Sequence, residues 1–507
     1  MQANLLPGDR RERTGAVLLT AVAVGTILRF FRLGGHELSI DESLSWAESS
    51  GHNVKAVLRV QHQLDSGKFP IYEVAQHGWM RIFGESETAM RALPALIGSL
   101  SIVLVFIVAV EVLLAAAGGS PEPSPASREL PPPVKERARY EEEDRIYMVA
   151  ALCALLFAVG LPSVEIARQA RMYSMMEAWI LAQVIFLFRA RRLGGFANYA
   201  GLTIFSAIAV ATNFTAVLVI VAEALWLIYL YVADGDGRLG VRARNEHLWS
   251  MGAALIGAMV LLLPFFAGLR YGVQGVARGD YDWIKLPGRW EPLATFESAL
   301  GTLPFPLFAV FASVGGVRLW RSHRDEAVLL VLWIIAPAII LFVGSYLITP
   351  MLITRYLISS FVPLFILTAI GIESIPARRY RSVAIIAIVS LSVLRASSDF
   401  RPGDNRWRDA CEIALNSSCS KQRVGTFNEY YLVSYYMPAA QRHAVKIVRV
   451  PFEGAEKKAP QVVILSPTVS PEEATEVRKE YPVVVAKFKN LTVVSRPKGC
   501  PRNGPAS

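Results

Sequence analysis

Charged residues are scarce in this chain. Asp, Glu, Lys and Arg make up 19% of its 507 residues, hydrophobic residues make up 53%, and the mean hydropathy is +0.38. Soluble domains carry roughly 25% charged residues. The composition therefore excludes an ordinary soluble protein and predicts a membrane protein.

Cysteine is also rare, and the four cysteines are not at zinc-site spacing. We predict that Cys153 packs inside a helix, whereas a disulfide between Cys411 and Cys419 is chemically allowed outside the cytoplasm and stays open.

The C-terminal part lacks a glycine-rich phosphate loop, so nucleotide binding there is not supported. The net charge of +10 comes largely from arginines in short loops, which indicates contact with anionic lipid and no nucleic acid.

Long apolar runs, in contrast, are abundant. A membrane-spanning helix needs about 20 apolar residues, and the runs predict a polytopic α-helical protein with about eleven spans. The stretch 199–232 is too long for one span and has a polar break at Thr212 and Asn213, so it predicts two helices. An acid inside this stretch, Glu223, is expected to make an interhelical hydrogen bond. The other runs are 16–31, 93–117, 146–161, 172–188, 255–268, 303–320, 327–347, 356–372 and 382–394.

Arginine clusters predict the orientation, because cytoplasmic loops carry the excess of Lys and Arg. They place the N-terminus and the Pro- and charge-rich linker 118–144 inside, and the loops 34–91 and 269–301 outside. Arg29 and Arg32 depart from this rule and are expected to contact lipid headgroups. We expect the inner membrane of a bacterium. The clusters are Arg10, Arg11 and Arg13; Arg189, Arg191 and Arg192; Arg238, Arg242 and Arg244; Arg318, Arg321 and Arg324; and Arg378, Arg379 and Arg381.

The chain changes character after residue 397. The β-rich runs RVGTF, HAVKIVRV, QVVILS, YPVVVAKF and LTVVS alternate with the helical runs RWRDACEIAL, NEYYLVSYYM and SPEEATEVRKEY. Such alternation predicts a small α/β domain. We therefore expect a transmembrane catalytic domain over 1–397 and an extracytoplasmic α/β domain over 398–507.

The stretch ELSIDESLSW, from Glu37, follows the first apolar run and places Asp41 and Glu42 at the predicted outer rim of the membrane. An acceptor hydroxyl is a poor nucleophile, and a carboxylate can take its proton as it attacks. We predict Asp41 as this base, which implies inversion at the sugar, with Glu42 positioning the acceptor. The alternative is that the pair only caps a helix. A divalent cation is compatible with the two carboxylates, but no spacing requires it.

Four stretches resemble, in the same order, motifs of the GT-C integral-membrane glycosyltransferases, especially bacterial relatives of the dolichyl-phosphate-mannose protein mannosyltransferases and the aminoarabinose lipid A transferases. They are ELSIDESLSW, GKFPIYEVAQHGWMRIFGESETAMRALPALIGSL, SVEIARQARMYSMMEAW and LITRYLISSFVPLFIL. The resemblance implies a polyprenyl-phosphate sugar donor and an acceptor on a protein, a glycolipid or a cell-envelope polymer.

Arginines at the predicted span mouths can stabilise the leaving lipid phosphate. Arg171 and Arg355 are the first candidates, followed by Arg168, Lys68 and Tyr356. Two other function classes stay open: a transporter or flippase of lipid-linked sugars, and a non-catalytic membrane scaffold. Transporters tend to show internal repeats, and none is apparent here. If the protein is an enzyme, we expect Asp41, Arg171 and Arg355 to lie together in one cavity that opens outward.

Overall fold

The computed structural model describes residues 7–65, 68–118, 132–235, 241–263, 284–400, 406–417, 423–427, 429–438, 446–449 and 460–496. Its contacts divide the chain into two compact units. The first unit comprises Met1–Phe31, Gln61–Ala75 and Arg91–Asp399, and the second comprises Arg32–Val60, Gln76–Met90 and Phe400–Ser507.

The described residues are mostly helical. Short 3-10 turns lie at Phe214–Ala216, Thr354–Tyr356, Ile358–Ser360 and Ser397–Phe400. The α-helices up to the second unit's C-terminal segment are α1 (Pro7–Phe30), α2 (Ile40–Ser49), α3 (Val54–Leu64), α4 (Ile71–Phe83), α5 (Glu87–Gly118), α6 (Pro132–Val159), α7 (Leu161–Ala167), α8 (Tyr173–Leu193), α9 (Phe196–Thr212), α10 (Val217–Gly235), α11 (Val241–Leu261), α12 (Glu291–Leu300), α13 (Phe305–Ser322), α14 (Arg324–Leu347), α15 (Phe361–Glu373) and α16 (Arg378–Ala396).

Four described helices are long and apolar enough to cross a membrane, and up to six spans result if each of two bent helix pairs is one span. The apolar helices support an integral membrane protein. Other predicted spans lie on shorter apolar helices, for example α9 and α15. The total of about eleven therefore stays a prediction, because a span needs about 20 residues.

The predicted break at Thr212 and Asn213 is confirmed. Helix α9 ends at Thr212, and α10 begins at Val217 after a 3-10 turn. The side chain of Asn213 accepts a hydrogen bond from the backbone N–H of Thr215 at 2.9 Å. A short polar side chain can satisfy a helix-start amide in this way, so the polar residues end one helix and start the next.

Two glycines bring α13 and α15 into backbone contact. A Cβ atom added at Gly315 would overlap the carbonyl oxygen of Leu367, and one added at Gly371 would overlap the carbonyl oxygen of Phe311. Close approach through small residues is a common way to join helices inside a bilayer, where burial alone drives association weakly.

Polar side chains also join helices of the first unit. Gln183 on α8 donates to the carboxylate of Glu223 on α10, which confirms the predicted interhelical hydrogen bond. Cys153 is fully buried, as predicted for a packing residue. The headgroup prediction for Arg29 is wrong: its side chain is buried and donates at 3.0 Å to the carbonyl oxygen of Ala158. A guanidinium has five donors, so neighbouring helices can satisfy it away from lipid.

The C-terminal segment of the second unit alternates helices and strands. Its helices are α17 (Trp407–Asn416), α18 (Tyr430–Tyr436) and α19 (Pro471–Glu480). Its strands are β1 (Arg423–Thr426), β2 (Lys446–Arg449), β3 (Val462–Leu465), β4 (Val483–Lys487) and β5 (Thr492–Ser495). Each of these elements lies on the run of the same type in the sequence.

The five strands form one mixed sheet in the order β2-β1-β3-β5-β4. Strands β1, β2 and β3 are parallel, whereas β5 runs antiparallel to both β3 and β4. All four residues of β3 are buried. A continuous apolar run is typical of a strand covered on both faces, and this explains the sequence VVIL at the centre of the sheet.

Candidate active site

The stretch ELSIDESLSW forms the start of α2 in the second unit. Ser39 is the N-cap residue, and its hydroxyl accepts the backbone N–H of Glu42 at 3.2 Å. The carboxylate of Glu42 in turn accepts the backbone N–H of Ser39 at 2.9 Å. This reciprocal capping box satisfies two amides that a helix start leaves without partners. The buried carboxylate of Glu42 therefore has a structural role.

Glu37 joins this stretch to the C-terminal segment of the same unit. Its carboxylate accepts the backbone N–H of Trp407 at 2.6 Å and that of Arg408 at 3.0 Å. These are first-turn amides of α17, where a negative charge is favourable. Burial raises the pKa of the Glu37 carboxyl, and the two backbone hydrogen bonds oppose that shift.

Further contacts fix the position of α2. The indole N–H of Trp46 donates to Glu85 at 3.0 Å, and its ring meets the ring of Tyr435 edge-on with centroids 5.4 Å apart. At the end of the helix, His77 Nδ1 lies 2.9 Å from the carbonyl oxygen of Ser49. The start of α2 is thus held by its capping box and its end by His77.

The three acids of the stretch are thus placed differently. Glu37 holds α17 and Glu42 holds the start of α2, whereas Asp41 lies in the first turn of α2 and is half-buried. A carboxylate at a helix N-terminus is favoured in its charged form by the helix dipole. Asp41 therefore keeps partial access to solvent at the start of the helix.

Lys68 lies in the first unit and is already paired. Its ammonium group is 2.9 Å from the carboxylate of Glu73 and 3.3 Å from that of Asp65. Both Lys68 and Glu73 are almost completely buried. Glu73 was not among the predicted site residues, although it stands in the first turn of α4 and follows Pro70 by three residues, a helix-start pattern.

Arg168 and Arg171 lie between α7 and α8, and both are buried. One guanidinium nitrogen of Arg168 donates to the carbonyl oxygens of Leu28, Arg29 and Phe31, at 3.1, 3.2 and 2.8 Å. These carbonyls end α1, so Arg168 caps that helix. The capping role of Arg168 was missed because it joins residues far apart in the chain.

Arg355 and Tyr356 lie in the 3-10 turn Thr354–Tyr356, which precedes α15. Both side chains are half-buried, and the guanidinium carbon of Arg355 is 6.0 Å from the ring centroid of Tyr356. This separation is at the limit of a cation–π contact.

Asp41 and Glu42 belong to the second unit, and the predicted phosphate ligands to the first. Their expected meeting in one cavity therefore stays a prediction.

Within the described parts of the chain, no group of three or more His, Cys, Asp or Glu side chains is arranged to hold a metal ion. The predicted cation at the two acids stays a prediction too, and Glu42 already binds a backbone amide. The predicted Cys411–Cys419 pair includes Cys419, which lies outside the described residues.

The structure is similar to solved structures of membrane glycosyltransferases. ArnT from Cupriavidus metallidurans bound to undecaprenyl phosphate matches with a TM-score of 0.61 and 12% identity, over 95% of this chain and 98% of that chain. An Archaeoglobus fulgidus oligosaccharyltransferase tethered with an acceptor peptide containing the NVT sequon matches with a TM-score of 0.52 and 12% identity, over 92% and 70% of the two chains.

Both proteins are GT-C glycosyltransferases, so the resemblance seen in the sequence is confirmed at the level of the fold. No protein-family model and no curated protein matches the chain. At 12% identity the similarity shows a shared architecture, and function has to be argued from the residues.

Proposed function

We propose that this protein is an inverting membrane glycosyltransferase that moves a sugar from a polyprenyl-phosphate donor to an acceptor hydroxyl on the extracytoplasmic face. The observation that carries the proposal is the end-to-end fold match to a structure bound to undecaprenyl phosphate, with 95% of this chain and 98% of that chain aligned. The four stretches that resemble GT-C motifs, in the same order along the chain, add a candidate base and candidate phosphate ligands. Together they favour transfer over transport or scaffolding.

Asp41 takes the role of general base. The acceptor oxygen attacks the anomeric carbon, its proton passes to the Asp41 carboxylate, and the bond between that carbon and the phosphate oxygen breaks. The products are the glycosylated acceptor and the free polyprenyl phosphate. Glu42 acts as a positioning residue, since its capping box fixes the helix turn that carries Asp41.

Arg171 and Arg355 take the role of phosphate ligands. The charge that develops on the leaving phosphate is stabilised by fixed guanidinium donors. Lys68 is a weaker candidate, because Glu73 and Asp65 already neutralise its charge. Arg168 is also weaker because one of its nitrogens caps α1. Tyr356 is a weaker candidate beside Arg355, with its ring centroid 6.0 Å from the guanidinium carbon.

The central experiment compares Asp41→Asn with Glu42→Gln in purified protein reconstituted in lipid. Asp41→Asn should keep the melting temperature and the donor affinity of the parent. Its single-turnover rate should fall about 10²–10⁴-fold, because general-base catalysis typically contributes a rate acceleration of that size. Glu42→Gln should keep its stability, because glutamine also serves at this position of a capping box, and should keep most of the rate per folded molecule. Normal turnover by Asp41→Asn would refute the proposed mechanism.

The sugar and the acceptor can be identified by mass spectrometry of surface glycolipids and glycoproteins. A deletion strain should lack one glycoform, which the intact gene restores and the Asp41→Asn gene does not. A deletion that leaves every glycoform unchanged while a lipid-linked sugar accumulates in one leaflet would favour the flippase alternative.

The orientation can be tested by cysteine labelling in intact cells. A membrane-impermeant maleimide should reach single cysteines placed in 34–91 and after 397, and should not reach those in 121–135. Labelling of the proline-rich linker from outside would put Asp41 on the cytoplasmic side and contradict the proposal.

A further inference from the structure

A cleft of about 860 Å³ lies in the first unit, and its lining includes none of the residues assigned to the transfer reaction. It is bordered by the end of α5, the middle of α6, and the ends of α13 and α15. Leu113, Val149, Val317 and Ile370 contribute apolar walls. The volume is in the range of small-molecule sites, about 300–1,000 Å³.

Basic and apolar side chains are separated along the length of the cleft. On α13, Val314, Val317, Arg318 and Arg321 all line it, and their spacing puts them on one face of the helix. On α6, Arg145 precedes Val149 by one turn, or about 6 Å. Both helices therefore place arginines at one end of the cleft and apolar side chains one turn or more further along.

The basic end carries an excess of positive charge. Arg145, Arg318 and Arg321 line it together with two acids, and one of these acids, Glu373, is bound to a further arginine, Arg381, at 2.6 Å. Arg318 lies within electrostatic range of Arg145 and Arg381, which repel it, and of Glu373, which attracts it but is already paired with Arg381. A bound anion would relieve this repulsion, and a phosphate accepts two parallel hydrogen bonds from a guanidinium.

We infer that this cleft binds one anionic phospholipid, with its phosphate against Arg145, Arg318 and Arg321 and an acyl chain along the apolar wall. A soluble phosphate would not use the apolar wall, and an apolar molecule would not use the arginines. The pattern of basic loops predicts that this end of the bundle faces the cytoplasm, where anionic lipids attract juxtamembrane arginines. The site is independent of the proposed sugar transfer.

The test is native mass spectrometry of delipidated protein titrated with phosphatidylglycerol or with phosphatidylcholine of the same acyl chains. The variant Arg145→Gln/Arg318→Gln/Arg321→Gln should bind phosphatidylglycerol at least about tenfold more weakly, since each arginine near a lipid surface contributes roughly fivefold. Arg324→Gln/Arg378→Gln/Arg379→Gln removes the same charge from the same end but outside the cleft, and should bind normally.

A second variant tests the apolar wall. Val314→Trp keeps the arginines but fills the apolar part of the cleft, and it should weaken phosphatidylglycerol binding while the melting temperature in detergent stays within a few degrees of the parent. Three results would each overturn the inference. They are an equal loss of phosphatidylglycerol affinity in the two triple variants, equal affinity of the parent for both lipids, and displacement of phosphatidylglycerol by excess inorganic phosphate.

Discussion

Replacing Glu37 with alanine tests how the first predicted outer loop is held within its unit. Glu37 accepts the N–H groups of Trp407 and Arg408 at 2.6 and 3.0 Å, across 370 residues of sequence for the first of these bonds. Hydrogen bonds to a charged group contribute about 1.5–3 kcal/mol each, but the half-buried carboxylate also loses hydration. We therefore expect a net loss near the upper part of the range for helix caps, about 1–2 kcal/mol.

The assay is hydrogen exchange of the α17 amides, followed by mass spectrometry on the full chain in detergent. A loss of 1–2 kcal/mol corresponds to roughly 5–30-fold faster exchange through local opening. Glu412→Ala is the matched control, because Glu412 is an exposed glutamate on the same helix. Unchanged exchange in Glu37→Ala, or an equal change in the control, would refute the assigned role.

The effect should also depend on pH. Burial raises the pKa of Glu37 in the folded chain above its ordinary value, so the folded state binds this proton more tightly than the unfolded state. The contribution of this group to stability therefore rises as the pH falls through the folded-state pKa. The stability difference between the parent and Glu37→Ala should widen between neutral pH and the ordinary glutamate pKa, and a difference that narrows there would contradict this electrostatic account.

Three further predictions concern other parts of the chain. Gly315→Ala should lower the melting temperature in detergent by several degrees, because its Cβ would overlap the carbonyl oxygen of Leu367; Gly316→Ala, which meets only a side-chain atom at 4.0 Å, is the control and should not. Arg355→Ala should weaken donor binding and slow transfer, and Arg355→Lys should recover only part, since an ammonium lacks the planar fork; full activity of Arg355→Ala in a single-turnover assay would remove its role. Burial raises the pKa of the Cys411 thiol to about 12, so Cys411 should resist maleimide at pH 8 until the protein is denatured. Rapid modification of this residue in the folded chain, located by peptide mass spectrometry, would contradict this.

Local sequence patterns determined much of this protein. Apolar runs predict helices of membrane type, and the polar pair Thr212-Asn213 marks a real break between α9 and α10. In the C-terminal segment, each β-rich run contains a strand and each helical run contains a helix. These features depend on side-chain periodicity and on capping by residues three or four positions away, and both can be read directly from the chain.

Only the tertiary structure decided what the charged residues do. Glu37 and Asp41 are four residues apart and look equivalent in sequence, yet Glu37 caps a helix 370 residues away. Arg29 was expected at the lipid surface but is buried against Ala158, and Arg168 caps α1 through a bond to Phe31 that spans 137 residues. The partner of a long charged side chain is set by which distant segments pack beside it, and a local pattern carries no record of that packing.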